Sequence, residues 1–211
     1  MARTLADSRA WMAQGTTLFA NAMATMSDAD YAKSSSLPGW TRGNVVAHVA
    51  ANADAVGHLI TWASTGVETP MYSSPEDRSE GIAKGVTLTP AELREWLTRS
   101  SDQLVQAMDR LSEDQWQYEV RTVQGRLVPT AETPWMRARE TCIHSVDLGT
   151  GLSFADLPAG FVNALIEEIC DKRGMTALPV EVAGAEASEV AAWLAGRPHT
   201  IADAPELSPW L

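Results

Sequence analysis

The sequence has little cysteine and few basic residues, and each shortage excludes a class of protein. Two cysteines in 211 residues are too few for a disulfide framework, so a reducing, cytoplasmic compartment is expected. Sixteen Lys and Arg against 27 Asp and Glu give a formal net charge of -11, which disfavours nucleic acid and anionic membrane surfaces as partners. An anionic substrate would have to be held by a few positioned arginines.

Long uninterrupted apolar runs are also absent. Even the apolar stretch from Val45 to Ile60 is interrupted by two histidines, an asparagine and an aspartate, whereas a membrane-spanning helix needs about 20 predominantly apolar residues. The N-terminus shows no basic segment followed by an apolar signal region. With 45% hydrophobic residues, the chain is expected to be a soluble protein with one main domain and a small annex.

The first half of the chain predicts two long helices and a long connection. Apolar residues recur at near-heptad spacing from Leu5 to Met26, which predicts an amphipathic helix. Thr41 is a candidate N-cap for a second helix over about residues 42–65. The segment 66–89 is rich in Gly, Pro, Ser and charge, and we interpret it as a connection that is a candidate lid or pocket wall.

Two further helices complete a predicted bundle. The third opens at Thr89 and ends near residue 110, and the fourth is capped by Thr133 and ends near Leu148. Residues 118–129, which surround a Gln-Gly-Arg turn, predict a small hairpin. Four helices of about 15 to 25 residues with two long connections indicate a mainly α, four-helix bundle fold.

The last part of the chain has a different pattern of predicted elements from residues 1–154, which we assign to the bundle. We interpret residues 155–211 as a small C-terminal α/β annex. Helices are predicted over residues 158–173 and 188–195, and a short strand over residues 177–182.

A candidate metal site combines residues of the second and fourth helices. Glu140 and His144 are four residues apart, so a helix stacks them on one face, and His48 lies on the inward stripe of the facing helix. Two histidines and one carboxylate suit zinc, although the set also holds iron or nickel. Three protein ligands leave a position open, which is typical of a catalytic site. The alternative is a core histidine beside a fortuitous Glu-His pair.

Three other potential ligands are placed outside this site. Cys142 points about 200° around the helix from Glu140 and His144, so we interpret it as a packing residue. His58 and His199 are interpreted as surface or secondary residues.

At these residues the chain resembles the mycothiol-dependent maleylpyruvate isomerases of the DinB-like superfamily. The resemblance runs from about Leu5 to Trp210. Five segments carry it, of which the last is the longest and most specific: LPGWTR (37–42), AHV (47–49), TGVETPMY (65–72), QGR (124–126) and WMRARETCIHSVDL (135–148).

This resemblance implies a DinB-like bundle that binds Zn2+ through His48, Glu140 and His144. It also implies a low-molecular-weight thiol as cosubstrate and the conversion of maleylpyruvate to fumarylpyruvate in gentisate breakdown. Mycothiol is the expected thiol, although no residue distinguishes it from glutathione or ergothioneine. The thiolate would add to the cis double bond, the adduct would rotate, and elimination would leave the trans isomer.

The resemblance also implies an essential arginine in an Ala-Gly-Arg stretch of the C-terminal domain, which Arg197 matches. It would hold a substrate carboxylate, or else only interact with the end of its helix. Arg78 and Arg126 are further candidates for substrate or thiol contacts, with a surface role as the alternative. Asn52, one turn beyond His48, either bonds substrate or is a polar rim residue.

Two other functions remain open beside the thiol-dependent isomerase. One is a DinB-like zinc-dependent S-transferase that consumes the thiol, and the other is a bundle that binds a metal or small ligand without catalysis. Asp147 is a candidate second partner of His144, or else pairs with Arg137 or Arg139. The partners expected are a small dicarboxylate and a small thiol, with the chain as a monomer or weak oligomer.

Overall fold

The computed structural model of the chain describes residues 3–74, 83, 85 and 87–208. Within this part, β structure consists of one two-stranded sheet and an isolated bridge between Ser34 and Thr41, so the prediction of a mainly α protein is confirmed. No helix of the described part is long and apolar enough to cross a membrane. In chain order the elements are α1 (Leu5–Ala24), α2 (Arg42–Thr65), α3 (Pro90–Asp109), α4 (Glu113–Gln117), β1 (Glu119–Arg121), β2 (Leu127–Pro129), α5 (Thr133–Asp147), α6 (Ala159–Lys172) and α7 (Ala187–Leu194), with short 3-10 turns at Asp28–Ala32, Thr130–Glu132 and Phe154–Asp156.

Four long helices form the bundle that the sequence predicts. Helix α1 packs along α5, and α2 packs along α3. Helix α2 also contacts α5, so it is packed against two neighbours. Its apolar side chains are accordingly almost all buried, among them Val45, Val49, Val56 and Leu59.

Capping boxes define where α2 and α3 begin. The Thr41 hydroxyl accepts a hydrogen bond from the Asn44 amide, and the Asn44 side chain accepts one from the Thr41 amide, as Thr89 and Glu92 do for α3. The predicted cap at Thr133 is wrong. Thr133 is the first residue of α5, and its hydroxyl donates instead to the Thr130 carbonyl of the preceding 3-10 turn. That turn already fixes how the chain enters α5.

A glycine allows α1 to approach α5 closely. A Cβ atom at Gly15 would lie 2.4 Å from the Thr141 hydroxyl oxygen and 2.6 Å from the Cys142 sulfur. Nearby, the rings of Trp11 and Trp135 meet edge to face at 5.8 Å. The two helices are therefore held in one register by a contact that no larger residue can make.

The predicted hairpin is present between α4 and α5. Strands β1 and β2 are antiparallel, and Val120 pairs with Val128, both side chains being buried. Gly125 has a φ of 80°, a left-handed conformation that favours glycine in this turn. The hairpin packs against α2, and no third strand of the described residues joins it.

Residues 5–150 form one compact unit, and residues 151–208 with Arg3 and Thr4 belong to a second. The second unit contains α6 and α7, which pack on each other and correspond to the two helices predicted there. The prediction of an α/β annex is wrong in its strand. Residues 177–182 form turns, in which the Pro179 carbonyl accepts bonds from Val182 and Ala183. A domain boundary between residues 154 and 155 remains our proposal.

The close contact at Gly15 predicts an asymmetry between two helical glycines. Gly15→Ala should destabilise the protein by about 1–3 kcal/mol, because the added methyl group overpacks the α1–α5 contact. Gly57 lies within α2, and a Cβ atom there would meet no packing neighbour within 4 Å in the described part of the chain. Gly57→Ala should therefore stabilise the protein by about 0.5–1 kcal/mol. Chemical denaturation of both variants measures this difference. Equal effects would contradict the close approach.

Candidate metal centre

Helices α2 and α5 bring His48, Glu140 and His144 together. The Nε2 atom of His48 lies 2.9 Å from Oε2 of Glu140, and Nε2 of His144 lies 3.3 Å from the same oxygen. One ligand atom from each residue lies within 4.8 Å of the other two. Glu140 and His144 lie on one face of α5 because they are four residues apart. The contact between α2 and α5 brings His48 to that face.

The donor set fits a tetrahedral zinc ion. Zinc ligands at about 2.0–2.1 Å from the metal lie about 3.3 Å from one another in a tetrahedron. The Glu140 oxygen lies 2.9 and 3.3 Å from the two histidine nitrogens, which is close to that separation. His48 is buried, and the other two residues are half-buried, so the cluster is only partly accessible to solvent. Two imidazoles, one carboxylate and a partly open side match the chemistry of a catalytic rather than a structural zinc site.

Asp147 orients His144. Its Oδ2 atom lies 2.8 Å from Nδ1 of His144, so Nδ1 carries the proton and donates to the carboxylate. The Nε2 atom of the ring faces Glu140 and donates its proton to that carboxylate, so a metal would bind at Nε2 only in exchange for this proton. Burial opposes protonation of His144, but the bonds to Asp147 and Glu140 prevail and raise its pKa to about 9.

Glu140 is the anionic member of the cluster. Burial opposes its ionisation, yet hydrogen bonds from His144 and His48 hold its pKa well below the ordinary value. The carboxylate therefore stays charged at neutral pH. A divalent cation bound beside it would be partly neutralised, which favours binding.

Aromatic rings flank the cluster. The rings of His48 and His144 are perpendicular with centroids 4.9 Å apart, and Trp40 meets the other side of His48 edge to face at 5.7 Å. Trp40 follows the turn before α2, within the LPGWTR segment. Its indole therefore restricts how the His48 ring turns.

Arg137 also belongs to this region, although no pattern in the sequence marks it as a site residue. It is 1% exposed, and its Nη1 donates to the Val49 carbonyl at 2.6 Å and to Oδ1 of Asn52 at 2.9 Å. Nη2 donates to the Ser101 hydroxyl at 3.3 Å. Burial lowers its pKa to about 10, while attraction to Glu140 opposes that fall, so the guanidinium remains charged. The alternative pairing of Arg137 with Asp147 is not among these bonds.

The other predicted site residues lie in several places. Asn52 is buried on α2 and bonded to Arg137, and Arg126 is exposed at the hairpin turn. Arg197 follows α7 in the second unit, where its Nη1 donates to the Ala195 carbonyl at 2.7 Å. This bond is the helix-end interaction that the sequence left open as the alternative role. Arg78 lies outside the described residues.

The structure also shows where the cysteine and the two histidines that the sequence excluded from the site lie. Cys142 is fully buried, with its sulfur 3.9 Å from the Trp11 carbonyl, and burial raises its pKa to about 12. Its interpretation as a packing residue is confirmed. His58 is exposed on α2, and His199 is half-buried in the second unit.

Comparisons with known proteins agree with this geometry. The family model described as the mycothiol maleylpyruvate isomerase N-terminal domain matches residues 12–149. A crystal structure of the mycothiol-dependent maleylpyruvate isomerase is 35% identical, with a TM-score of 0.90 over 99% of this chain and 98% of that one. A structure of that isomerase with one histidine replaced by alanine gives 35% identity and a TM-score of 0.89 at the same coverage. No curated protein matches the chain.

The cluster predicts that two histidines of α2 differ in zinc binding. His48→Ala should weaken zinc binding by more than the roughly 10- to 100-fold that loss of an outer-shell partner costs, because a direct ligand is removed. His58→Ala, an exposed change on the same helix, should leave it unaltered. Competition with a chromophoric chelator measures both affinities. Full zinc affinity in His48→Ala would refute the site.

Proposed function

The chain belongs to the family of mycothiol-dependent maleylpyruvate isomerases, and we propose that it is a zinc enzyme that converts maleylpyruvate to fumarylpyruvate, a step of gentisate breakdown. The observation that carries this proposal is the His48, Glu140 and His144 cluster, within a chain that aligns with such an isomerase over 99% of its length. Mycothiol is the proposed cosubstrate, since the family model and both related structures name it.

Three residues of the chain would hold the metal: the buried His48, the anionic Glu140 and His144, which Asp147 orients. When bound there, zinc would lower the pKa of a coordinated thiol, so that the nucleophilic thiolate would be available at neutral pH. Three protein ligands would leave room for the small thiol.

The isomerisation is a reversible addition to the double bond. The thiolate sulfur bonds to the alkene carbon that is β to the ketone, and the π electrons move into the ketone to give an enolate. The former double bond is then single and rotates. When the enolate reforms its carbonyl group, the carbon–sulfur bond breaks and the trans alkene remains. No proton is gained or lost overall, and the thiol is recovered.

The anionic substrate needs local cations in this proposal. The net charge of -11 makes the protein as a whole repel a dicarboxylate, so individual arginines must bind it. Arg197 is proposed to hold one carboxylate bidentately and to stabilise enolate charge. Arg126 and Arg78 are proposed as secondary contacts to substrate or thiol.

The substrate and thiol are tested together. The zinc-loaded protein should isomerise maleylpyruvate with catalytic amounts of mycothiol, and more slowly or not at all with glutathione or ergothioneine. The loss of maleylpyruvate is followed by absorbance, and free thiol is titrated before and after turnover. Unchanged thiol with trans product supports the isomerase. Stoichiometric loss of thiol would replace it with the S-transferase alternative, and no reaction with any thiol would refute the substrate.

Arg197 is tested against an exposed arginine of the other unit. Arg197→Ala should lower kcat/KM for maleylpyruvate by roughly 10- to 100-fold, the value of a charge-assisted hydrogen bond, with zinc content unchanged. Arg99→Ala removes the same charge from the exposed face of α3 and should have no effect. If Arg197→Ala keeps full activity and loses only thermal stability, the arginine serves its helix end alone.

A further inference from the structure

Arg137 and Asn52 form a buried polar pair one helical turn from the metal ligands. Asn52 lies four residues after His48 on α2, and Arg137 lies three residues before Glu140 on α5. We propose that Arg137 fixes the Asn52 carboxamide as a hydrogen-bond donor for a carboxylate or enolate oxygen of the substrate. This inference rests on the proposed function, because it assigns residues to the anionic substrate of the same site.

The chemistry of the guanidinium determines how the amide is turned. Arginine has only donors, so Asn52 can present only its carbonyl oxygen to Nη1, which lies 2.9 Å away. A flipped amide would set two donor groups against each other. The Asn52 NH2 group is therefore directed away from Arg137 and remains a donor.

Arg137 is itself held too firmly to follow a turning amide. Its Nη1 also donates to the Val49 carbonyl at 2.6 Å, and its Nη2 donates to the Ser101 hydroxyl at 3.3 Å. These partners belong to α2 and α3, so the guanidinium is anchored to two helices besides its own. The orientation of Asn52 is thus set by the packing of the bundle.

The position of Asn52 suits contact with substrate rather than solvent. An i, i+4 pair shares one helix face, so Asn52 is on the face that carries His48. Asn52 is only 6% exposed, and a donor in such a desolvated place binds an oxyanion more strongly than one in water. The nearby charge of Arg137 adds to that attraction. Arg137 is accordingly a positioning residue, and Asn52 is the proposed contact.

The Asn52→Asp variant separates the donor role from a merely structural one. In Asn52→Asp a carboxylate still accepts from Arg137, so thermal stability and zinc content should be retained, but the donor is lost. The KM for maleylpyruvate and the Kd for maleate, a non-isomerising dicarboxylate probe, should rise by about 10- to 100-fold. If Asn52 only serves Arg137, both constants stay within twofold of the wild type, and the proposal fails.

Two further variants keep the result decisive. Asn52→Leu removes the donor without adding charge, so it should weaken maleate binding as Asn52→Asp does. It should also lower stability, because Arg137 loses an acceptor. Unchanged maleate binding in Asn52→Leu would also overturn the proposal. Asn21→Asp, an exposed residue of α1, makes the same charge change and should leave both constants unaltered.

Failure of the proposed function can be told apart from failure of this inference. Wild-type protein that isomerises no maleylpyruvate with any thiol refutes the function. Maleate binding to the zinc-loaded wild type and to Asn52→Asp, measured by calorimetry, still decides whether Asn52 donates to a dicarboxylate. Equal binding by the two proteins, including no binding by either, rejects the donor role.

Discussion

Two opposite charges on neighbouring turns of α5 impose the main constraint on this bundle. Glu140 is largely enclosed and Arg137 is fully buried, so each needs partners from other helices. Helix α2 provides His48 for the carboxylate and provides the Val49 carbonyl and Asn52 for the guanidinium. Leaving either charge without its partners would cost about 3–5 kcal/mol. The α2–α5 interface therefore contains polar side chains, and two of them, His48 and Glu140, belong to the candidate metal centre.

Local sequence signals were sufficient for the helices and for the metal ligands of α5. The capping residues Thr41 and Thr89 and the apolar periodicity depend on neighbours along the chain, so the starts of α2 and α3 were predictable. Glu140 and His144 share a face because of helix geometry alone. His48 could be placed on the inward face of α2 from the helical spacing, and the resemblance to the isomerase family supported its pairing with Glu140 and His144, since nothing local indicates which face of α5 it meets.

Tertiary contacts explain what the sequence did not reveal. Arg137 has no spacing that distinguishes it from a surface arginine, and its burial depends on acceptors supplied by α2 and α3. The strand expected over residues 177–182 has no pairing partner in the described part of its unit, and Pro179 cannot donate to a ladder, so the segment forms turns instead. Thr133 does not cap α5 because its hydroxyl is already bonded to the preceding 3-10 turn.

The close approach of α1 to α5 has a consequence for how such a site can diversify. Gly15 faces Thr141 and Cys142, the two residues that directly follow Glu140 on the way to His144. Contact with α1 thereby fixes the position of α5 from the side opposite the ligands, because any atom added at Gly15 would push the two helices apart. The spacing of the ligands is thus independent of whatever the open side recognises. A change in what that side binds can therefore arise without any change in the spacing of the three candidate ligands.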